Sequence, residues 1–318
     1  MSVPLVTVVI TTTNGMKWLP NCIEALRQQT HQDFDLVVVN NASTDGSAEW
    51  LQQQPDIRTL HNDRNLGFAG AMNRGIRESQ SPFVIILNDD TCVQQDWLHE
   101  LVKIAQSDPQ IGSCASLMVF AHDISMVQSA GINMDRAAIA WDRLGGQPIN
   151  NALEACDIFG ASGGAALYRR EMLDQIGLYD ERFFIYLEDV DLAWRAQRTG
   201  WRCCYVPSAK VIHFTSATTG EGSPFKMKLL GRNKVWLVAK NAPLQDWLII
   251  GLYDLAAVTY AGLRRGNWVH LQGRWAGLKQ IRSFLRERKN IRPVSMLSPL
   301  VWPWAVLKRL SHLKPAIT

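Results

Sequence analysis

Two short acidic clusters in this 318-residue chain have residue types that catalytic sites use. The first, Asn88, Asp89 and Asp90, directly follows the apolar run 83–87. Carboxylate and amide oxygens are good ligands for a hard divalent cation, and such a cation can neutralise the charge of a diphosphate. Because Asn and Asp are also common in the turn after a strand, the cluster alone does not distinguish a cation site from a plain turn.

The second cluster is Glu188, Asp189 and Asp191, which follows the aromatic run 183–186. Bulky apolar neighbours disfavour the charged form of a carboxyl group, so one of these acids could have a pKa raised into the working range of a general base. Acids are also stabilised in the first turn of a helix by the helix dipole. On this cluster alone, a simple helix start is the better explanation.

His213 ends a short apolar segment, and a single histidine is more often a packed polar residue than a metal ligand. We expect a metal role only if the fold brings His213 close to Asp90. Two Gly-rich segments, 67–70 and 160–164, would allow a ligand to approach the backbone closely. Neither has the sequence of a P-loop, and the first strand–turn lacks GxGxxG, which argues against an ordinary dinucleotide-binding domain.

These side chains must be positioned by strands that alternate with helices. Apolar, β-branched runs predict strands, and segments with helical spacing lie between them. The alternation indicates βαβ units and a largely parallel sheet, whose ligands bind at the carboxyl ends of the strands. The predicted strands are 6–10, 36–39, 57–60, 83–87, 203–206 and 211–214. The predicted helices are 18–29, 71–78 and 225–240. Residues 121–151 are predicted to form loops or short strands, and residues 215–224 a mobile loop.

The charge distribution is uneven although the net charge is only +4. Residues 264–318 sum to +11, so residues 1–263 must sum to −7. Such a basic tail favours a polyanionic partner, and a solvated basic helix is the alternative. The apolar segment 247–263 contains Asp254 and is shorter than the ~20 residues of a membrane span, which predicts an interfacial or re-entrant helix.

The compartment is expected to be the cytosol. The first residues, Met1–Pro4, run directly into a strand-like segment and lack the pattern of a signal peptide. The six cysteines are scattered and contain no CxxC pair, and a chain of this length does not depend on a disulfide framework. Both features favour a reducing environment.

Taken in order, the motifs resemble glycosyltransferase family 2, the inverting enzymes with the GT-A fold. In particular, they are similar to the rhamnosyltransferase-like bacterial members that build surface polysaccharides. The resemblance covers roughly residues 5–240, and an ordered set of motifs is more specific than any single one. The matching stretches are Val8–Asn14, Val39–Ser47, Asn65–Gly75, Leu87–Thr91, Asp180–Phe184, Glu188–Leu192 and His213.

The resemblance implies an α/β, GT-A catalytic domain with a mostly parallel central sheet over residues 1–222. Residues 223–318 are expected to form a helical, basic, membrane-associating region. By position, Asp90 and His213 would bind a divalent metal, Mg²⁺ or Mn²⁺, and Asp189 would be the general base. The residues implied in donor nucleotide binding are Thr11, Thr13, Asn40, Asp45, Asn65, Gly67, Asn73 and Asp89, and those near the donor sugar or acceptor are Gly163, Gly164 and Glu188.

One position departs from the family pattern. Family members commonly have Asp where this chain has Asn40. An Asn oxygen can accept the same hydrogen bond from a nucleobase, but without the assistance of a negative charge. The resemblance therefore leaves the donor nucleotide open.

The function implied is inverting transfer of a sugar, from dTDP-rhamnose or a UDP-sugar, to a glycan or lipid-linked glycan acceptor. The expected partners are the nucleotide sugar, this acceptor and an anionic membrane surface bound through residues 247–292, with no nucleic acid; a homodimer is a further expectation. The protein is expected at the inner face of the cytoplasmic membrane. The alternatives are a nucleotidyltransferase, for which no basic Gly-rich phosphate loop is visible, and a catalytically impaired homologue that binds glycans or acts as a scaffold.

Overall fold

The computed structural model describes residues 3–215, 223–265 and 268–288, together with 294 and 296–298. The chain divides into two compact units. The first consists of Met1–Ile132 and Asp142–Ser216, and the second of Asn133–Trp141 and Ala217–Thr318.

The first unit alternates strands and helices through its first half and then becomes richer in strands. Its first half contains β1 (Val6–Thr12), α1 (Leu19–Arg27), β2 (Phe34–Asn40), α2 (Ser47–Gln52), β3 (Arg58–His61), α3 (Gly67–Arg77), β4 (Phe83–Asn88), β5 (Thr91–Val93) and α4 (Trp97–Ser107). The rest contains β6 (Ile111–Phe120), β7 (Asp123–Ser129), β8 (Ile132–Met134), β9 (Ala140–Asp142), β10 (Cys156–Ile158), β11 (Ala165–Arg169), α5 (Arg170–Ile176), α6 (Glu188–Arg198) and β12 (Arg202–His213), with β8 and β9 at the boundary of the unit.

One large mixed sheet forms the centre of this unit. Its order is β10-β12-β6-β11-β4-β1-β2-β3, with β5 paired to β12 and β7 to β6. The block β4-β1-β2-β3 is parallel, as is the β6–β12 pair, whereas β11 runs antiparallel between β4 and β6. The parallel block is the part that the alternation of strands and helices predicts.

Both faces of the sheet are covered. In β1, Val8 and Ile10 belong to a core on one side, while Val9 belongs to a second core on the other side. The first core includes apolar side chains of α1 and α4, and the second includes those of α3, α5 and α6. A strand that is buried on both faces needs continuous apolar sequence, which is why β1 and β4 were recognisable as runs rather than as alternating patterns.

The structure differs from the sequence predictions in a few elements. Helix α3 begins at Gly67 rather than near Ala71. The segments predicted as two strands at 203–206 and 211–214 form one strand, β12, with a register shift between Val206 and Lys210. Residues 121–151 contain short strands and a short 3₁₀-helix, Ile149–Ala152, and most of the predicted mobile loop, 216–222, lies outside the described residues.

The second unit is helical. It contains α7 (Pro224–Asn241), α8 (Trp247–Arg265), α9 (Val269–Lys279) and α10 (Ile281–Arg286). Helices α7 and α9 cross in backbone contact, because a Cβ atom on Gly273 would lie 2.3 Å from the Lys228 carbonyl oxygen. Trp236 of α7 is buried and stacks on Phe284 of α10 with ring centroids 4.8 Å apart.

Asp254 lies on the face of helix α8 that contacts α7 and α9. The Asp254 carboxylate accepts two hydrogen bonds from Arg274, at 2.6 and 2.8 Å, and lies 3.2 Å from the Lys234 ammonium. Burial alone would raise the pKa of Asp254, but these two cations outweigh it and hold the pKa at about 2. The opposite face of α8 exposes leucines to solvent: Leu248, Leu252, Leu255 and Leu263 are each at least 59% exposed.

Candidate active site

The polar clusters lie together at the carboxyl edge of the parallel strands. In the register of the sheet, Thr12 at the end of β1 is opposite Asn40 at the end of β2. On the other side of β1, Thr11 is opposite Asn88 at the end of β4. The three loops that follow these strands therefore start from neighbouring positions, at the edge where parallel sheets bind ligands.

His213 and Asp90 are in direct contact. Strand β5, which follows Asp90, pairs antiparallel with the end of β12, so that Thr91 is opposite His213. The His213 Nε2 atom lies 2.9 Å from Asp90 Oδ1, and both side chains are largely buried. The sequence predicts a metal role for His213 only if the fold brings it close to Asp90, and the two side chains are in contact.

This pair fits a divalent cation. The carboxylate oxygen is a ligand for either Mg²⁺ or Mn²⁺, whereas the imidazole nitrogen is better suited to a transition-metal ion such as Mn²⁺ than to Mg²⁺. Within the described parts of the chain, no group of three or more His, Cys, Asp or Glu side chains could hold a metal ion. A cation held by Asp90 and His213 would thus need further ligands from a bound phosphate group or from water.

The other nitrogen of His213 contacts Gln128 of β7, with 2.7 Å between Nδ1 and Oε1. Gln128 was missed by the sequence analysis, since it lies in the weakly patterned stretch 121–151 and a lone Gln carries no recognisable signal.

Asp89 is the third polar residue of the strand-end cluster. Burial is the main reason that its pKa is raised to about 6, and the neighbouring Asp90 charge adds to the effect. At neutral pH a carboxyl group with this pKa is mostly ionised, and a nearby positive charge would favour the ionised form further.

Asp189 lies near the start of α6 and is held by two backbone N–H groups. Its Oδ2 accepts a hydrogen bond from Gly163 at 3.0 Å, and its Oδ1 accepts one from Val190 at 2.8 Å. Partial burial raises the pKa of Asp189 despite these two hydrogen bonds. Glu188 is more deeply buried, and burial together with the adjacent Asp189 charge raises its pKa well above the usual range.

Two successive glycines connect this acidic pair with the strand-end cluster. Gly163 donates its N–H to Asp189, while the carbonyl oxygen of Gly164 accepts a hydrogen bond of 2.9 Å from the Asn88 N–H. The segment before β11 therefore has Asp189 on one side and the Asn88–Asp90 turn on the other. The fold brings together the two clusters that are about a hundred residues apart in sequence.

Several residues predicted to bind the donor hold the loops of this edge. Asp45 accepts hydrogen bonds from the Met16 and Ser47 N–H groups, which ties the loop after β1 to the loop after β2. Asn40 is buried, and its side-chain oxygen accepts a hydrogen bond of 3.0 Å from the Ser43 N–H. Its amide nitrogen lies 3.3 Å from Nδ1 of His61, a neighbour that the sequence did not suggest.

The other predicted donor-binding residues differ in their burial and contacts. Thr11 and Thr13 are half-buried at the end of β1, and the Thr11 hydroxyl is buried without a hydrogen-bond partner. Asn65 caps its own loop by accepting a hydrogen bond of 2.8 Å from the Gly67 N–H. Asn73 is buried, with 1% of its surface exposed.

Asn73 and Gly67 of α3 contact the segment that leads to Asp189. The Asn73 side chain binds the backbone of Tyr179 in both directions, donating to its carbonyl oxygen at 2.8 Å and accepting from its N–H at 3.0 Å. Gly67, with φ +73°, leaves room for Phe184: a Cβ atom there would lie 2.4 Å from the Phe184 carbonyl oxygen. That oxygen accepts a hydrogen bond of 3.1 Å from the Ala69 N–H.

The segment itself is strained. Phe184 has φ 67° and ψ −63°, and the Ile185 N–H donates to the Phe183 carbonyl oxygen at 2.8 Å, which together define the rare form of the γ-turn. Tyr186 and Leu187 follow with φ 74° and 66°. Non-glycine residues in this region each cost about 1–3 kcal/mol and persist where the surrounding contacts enforce them, often beside functional groups.

Comparisons of sequence identify relatives of this chain. A family model described as glycosyl transferase family 2 matches residues 7–177. An N-acetylglucosaminyl-diphospho-decaprenol L-rhamnosyltransferase of Mycobacterium tuberculosis is 31% identical over 229 residues, which cover 64% of this chain and 73% of that protein. The O-antigen biosynthesis protein RfbC of Myxococcus xanthus is 26% identical over 228 residues, 68% of this chain and 18% of that protein.

Comparisons of structure identify the fold. GalNAc-T7, solved with UDP, GalNAc and Mn²⁺, superposes with a TM-score of 0.62 and 18% identity over 91% of this chain and 55% of that chain. The mannosyltransferase PcManGT from Pyrobaculum calidifontis, in complex with GDP-Man and Mn²⁺, has a TM-score of 0.54 and 19% identity, covering 98% of this chain and 81% of that chain. These likenesses confirm the predicted GT-A fold.

Proposed function

Because this chain belongs to glycosyl transferase family 2 and is a glycosyltransferase, we propose that it transfers a sugar from a nucleotide-diphosphate donor to a lipid-linked glycan, with inversion of configuration. The donor is dTDP-rhamnose or a UDP-sugar, and the product belongs to a cell-surface polysaccharide. The activity of the mycobacterial relative, rhamnosyl transfer to N-acetylglucosaminyl-diphospho-decaprenol, supports this choice of substrates.

Asp90 and His213 are the residues that would hold the divalent cation. Bound there, Mg²⁺ or Mn²⁺ would supply positive charge to the diphosphate of the donor. The carboxyl edge of β1, β2 and β4 would receive the nucleotide, with Thr11, Thr13 and Asn40 at the ends of β1 and β2 nearest the base. Asp89, beside Asp90, would lie next to the phosphates.

Asp189 is the general base of the proposed reaction. It takes the proton from the acceptor hydroxyl, whose oxygen forms a new bond to the anomeric carbon while the bond from that carbon to the diphosphate oxygen breaks. Attack from the face opposite the leaving group inverts the configuration. The transition state is oxocarbenium-like, so the position of the base decides which hydroxyl reacts. The Gly163 and Val190 N–H groups fix that position.

The observation that carries this proposal is the convergence of two acidic clusters on the segment Gly163–Gly164. The proposed base and the proposed cation ligands thereby share one edge of the sheet. A transferase needs this arrangement because the proton acceptor and the leaving group must flank the same carbon. A catalytically impaired scaffold, the alternative from sequence, would have no need to keep Asp189 held by two backbone donors.

A thermal-shift panel of nucleoside diphosphates and nucleotide sugars with Mn²⁺ tests the donor assignment. A ligand raises the midpoint of unfolding according to its concentration relative to its dissociation constant. One nucleotide should stand out, and adding an acceptor to the matching nucleotide sugar should release nucleoside diphosphate. Tight nucleotide binding with no transfer to any glycan acceptor would favour the scaffold, and no stabilisation by any nucleotide would reject the proposal.

The proposed location is the inner face of the cytoplasmic membrane, with the second unit on the anionic lipid surface. Among the described residues, no helix has both the length and the apolar character to cross a bilayer. Instead, α8 exposes a row of leucines, Leu248, Leu252, Leu255 and Leu263, because Asp254 faces inward. Exposed Lys279, Arg282 and Arg286 follow in α9 and α10.

A unit with both an exposed apolar helix face and exposed basic residues is suited to an interfacial position, where each Lys or Arg contributes about 1 kcal/mol near anionic lipid. Sedimentation with vesicles of phosphatidylglycerol and phosphatidylcholine tests this: Leu252→Glu should reduce pelleting, whereas Leu153→Glu, at an equally exposed leucine of the first unit, should not. Equal pelleting of both variants, or none by the wild type, would exclude this surface. A leucine-dependent dimer without lipid binding would assign the α8 face to a second copy of the chain.

A further inference from the structure

We propose that Gln128 is a positioning residue for His213, holding its imidazole so that Nε2 faces the cation site. This inference rests on the proposed function, specifically on a divalent cation bound between Asp90 and His213. The sequence gives Gln128 no role.

The contact geometry gives each nitrogen of the His213 ring a separate partner. Nδ1 lies 2.7 Å from Gln128 Oε1, and Nε2 lies 2.9 Å from Asp90 Oδ1. An imidazole that binds a cation through one nitrogen must carry its proton on the other, and that N–H needs an acceptor. The Gln128 side-chain oxygen, which can only accept, is that acceptor.

A carboxamide suits this task in a specific way. Its uncharged oxygen accepts a hydrogen bond from the Nδ1–H group and is too weak a base to remove that proton, so the ring stays a neutral ligand. Unlike a carboxylate, it adds no negative charge beside Asp89 and Asp90, where two acids already lie close together. The contact therefore orients the ring without increasing the electrostatic repulsion in the site.

The backbone around Gln128 is held firmly enough to serve as a support. Strand β7 pairs antiparallel with β6, with Val127 opposite Val119 and Ser129 opposite Met118. On its other side, the Val127 N–H donates to the Gln147 carbonyl oxygen at 2.8 Å, and the Val127 carbonyl oxygen accepts from the Gly146 N–H at 2.8 Å. Since β6 also pairs with β12, where Phe120 is opposite His213, Gln128 and His213 are fixed to the same strand from opposite sides.

The test is Mn²⁺ binding in the presence of the nucleoside diphosphate that stabilises the wild type, measured by calorimetry on the full chain. Gln128→Met keeps the length of the side chain but removes the acceptor, and it should weaken Mn²⁺ binding by about 10- to 100-fold, the usual effect of losing such a partner. Gln128→Glu keeps the acceptor and should bind Mn²⁺ at least as well as the wild type. Gln53→Met, at an exposed Gln of the same unit, is the matched control.

A spectroscopic measurement separates orientation from packing. The nitrogen coupling of bound Mn²⁺, seen by pulsed electron paramagnetic resonance, should be lost or weakened in Gln128→Met and retained in Gln128→Glu. The inference is overturned if Gln128→Met binds Mn²⁺ within about twofold of the wild type, or if the Met and Glu variants lose affinity equally. Absence of Mn²⁺ binding by the wild type would reject both this inference and the assignment of a cation to Asp90 and His213. Sugar transfer by the same protein in chelator would show that the glycosyltransferase proposal holds without the cation.

Discussion

Replacing Asp189 by Asn tests the proposed base most directly. The two carboxylate oxygens of Asp189 each accept one backbone hydrogen bond, from Gly163 and from Val190. Asn has only one acceptor oxygen, so its amide group must face one of these N–H donors. Leaving one backbone donor unsatisfied costs about 1–3 kcal/mol, a loss that should lower stability measurably without unfolding the protein.

The effect on the reaction should be larger. Asn cannot take a proton, and removing a general base slows a reaction by about 100- to 10,000-fold, which corresponds to about 3–5 kcal/mol of activation free energy. Donor binding should change little, because Asp189 and the Asn88–Asp90 turn lie on opposite sides of Gly163–Gly164. The variant should therefore lose kcat while keeping its affinity for the nucleoside diphosphate.

Glu188→Gln is the matched control for this experiment. Burial and the Asp189 charge raise the pKa of Glu188 well above its usual range, so the protonated acid is favoured in the site. Gln has the shape and neutrality of that protonated form. We expect its kcat to fall by less than about tenfold, clearly less than that of Asp189→Asn.

The assay is release of nucleoside diphosphate from the nucleotide sugar, with and without acceptor, alongside calorimetric binding of the nucleoside diphosphate to each variant. Asp189→Asn with wild-type kcat would remove Asp189 from the role of base. A collapse of transfer in Glu188→Gln with activity retained in Asp189→Asn would exchange the roles of the two acids. Loss of nucleotide affinity in Asp189→Asn would show that the variant damages the site as a whole.

Three further predictions follow from the same contacts. Transfer should stop in EDTA and return with Mn²⁺ or Mg²⁺, and full activity in chelator would contradict the cation assignment to Asp90 and His213. Because burial favours the protonated form of Glu188, the wild type loses stability as pH rises above the unfolded-state pKa of a glutamate, about 4.3. Glu188→Gln should therefore gain thermal stability relative to the wild type as pH rises above about 5, which melting curves at several pH values will show. Gly67→Ala should lower the free energy of unfolding by about 2–5 kcal/mol in urea titrations, because of the left-handed backbone and the crowding against Phe184. Gly146→Ala is the control: its φ of +75° is similar but the space around its Cβ position is open, so it should lower the free energy of unfolding by only about 1–2 kcal/mol. Equal losses in the two variants would show that crowding against Phe184 does not contribute.

The parallel core was accessible from sequence because local and tertiary preferences agree there. Strands β1, β2 and β4 are apolar runs of β-branched residues ended by polar turns, and each was located to within a few residues. The contact of His213 with Asp90 is implied by the family resemblance but not by the local residue pattern, because it depends on the pairing of β5 with β12. That pairing joins short segments far apart in sequence, which carry no local signal for each other.

The roles of buried polar residues were also out of reach of sequence. Asn73 has the residue type of a ligand-binding side chain, and the sequence did not indicate its burial or its two hydrogen bonds with the Tyr179 backbone. In α8, the sequence shows an apolar segment interrupted by Asp254. The orientation of this acid toward Lys234 and Arg274 depends on the packing of α7, α8 and α9, which helical periodicity alone does not determine.

The γ-turn at Phe184 has a consequence for how sequences of this kind can change. The Phe184 carbonyl oxygen occupies the space that any side chain at position 67 would need, and it accepts a hydrogen bond from the Ala69 N–H. The effect of a substitution at position 67 thus depends on the backbone at position 184. A side chain at 67 fits only if the γ-turn at 184 relaxes, and a relaxed turn would change the segment that leads to Asp189. Substitutions at positions 67 and 184 are therefore expected to be coupled in their effect on the segment that leads to Asp189.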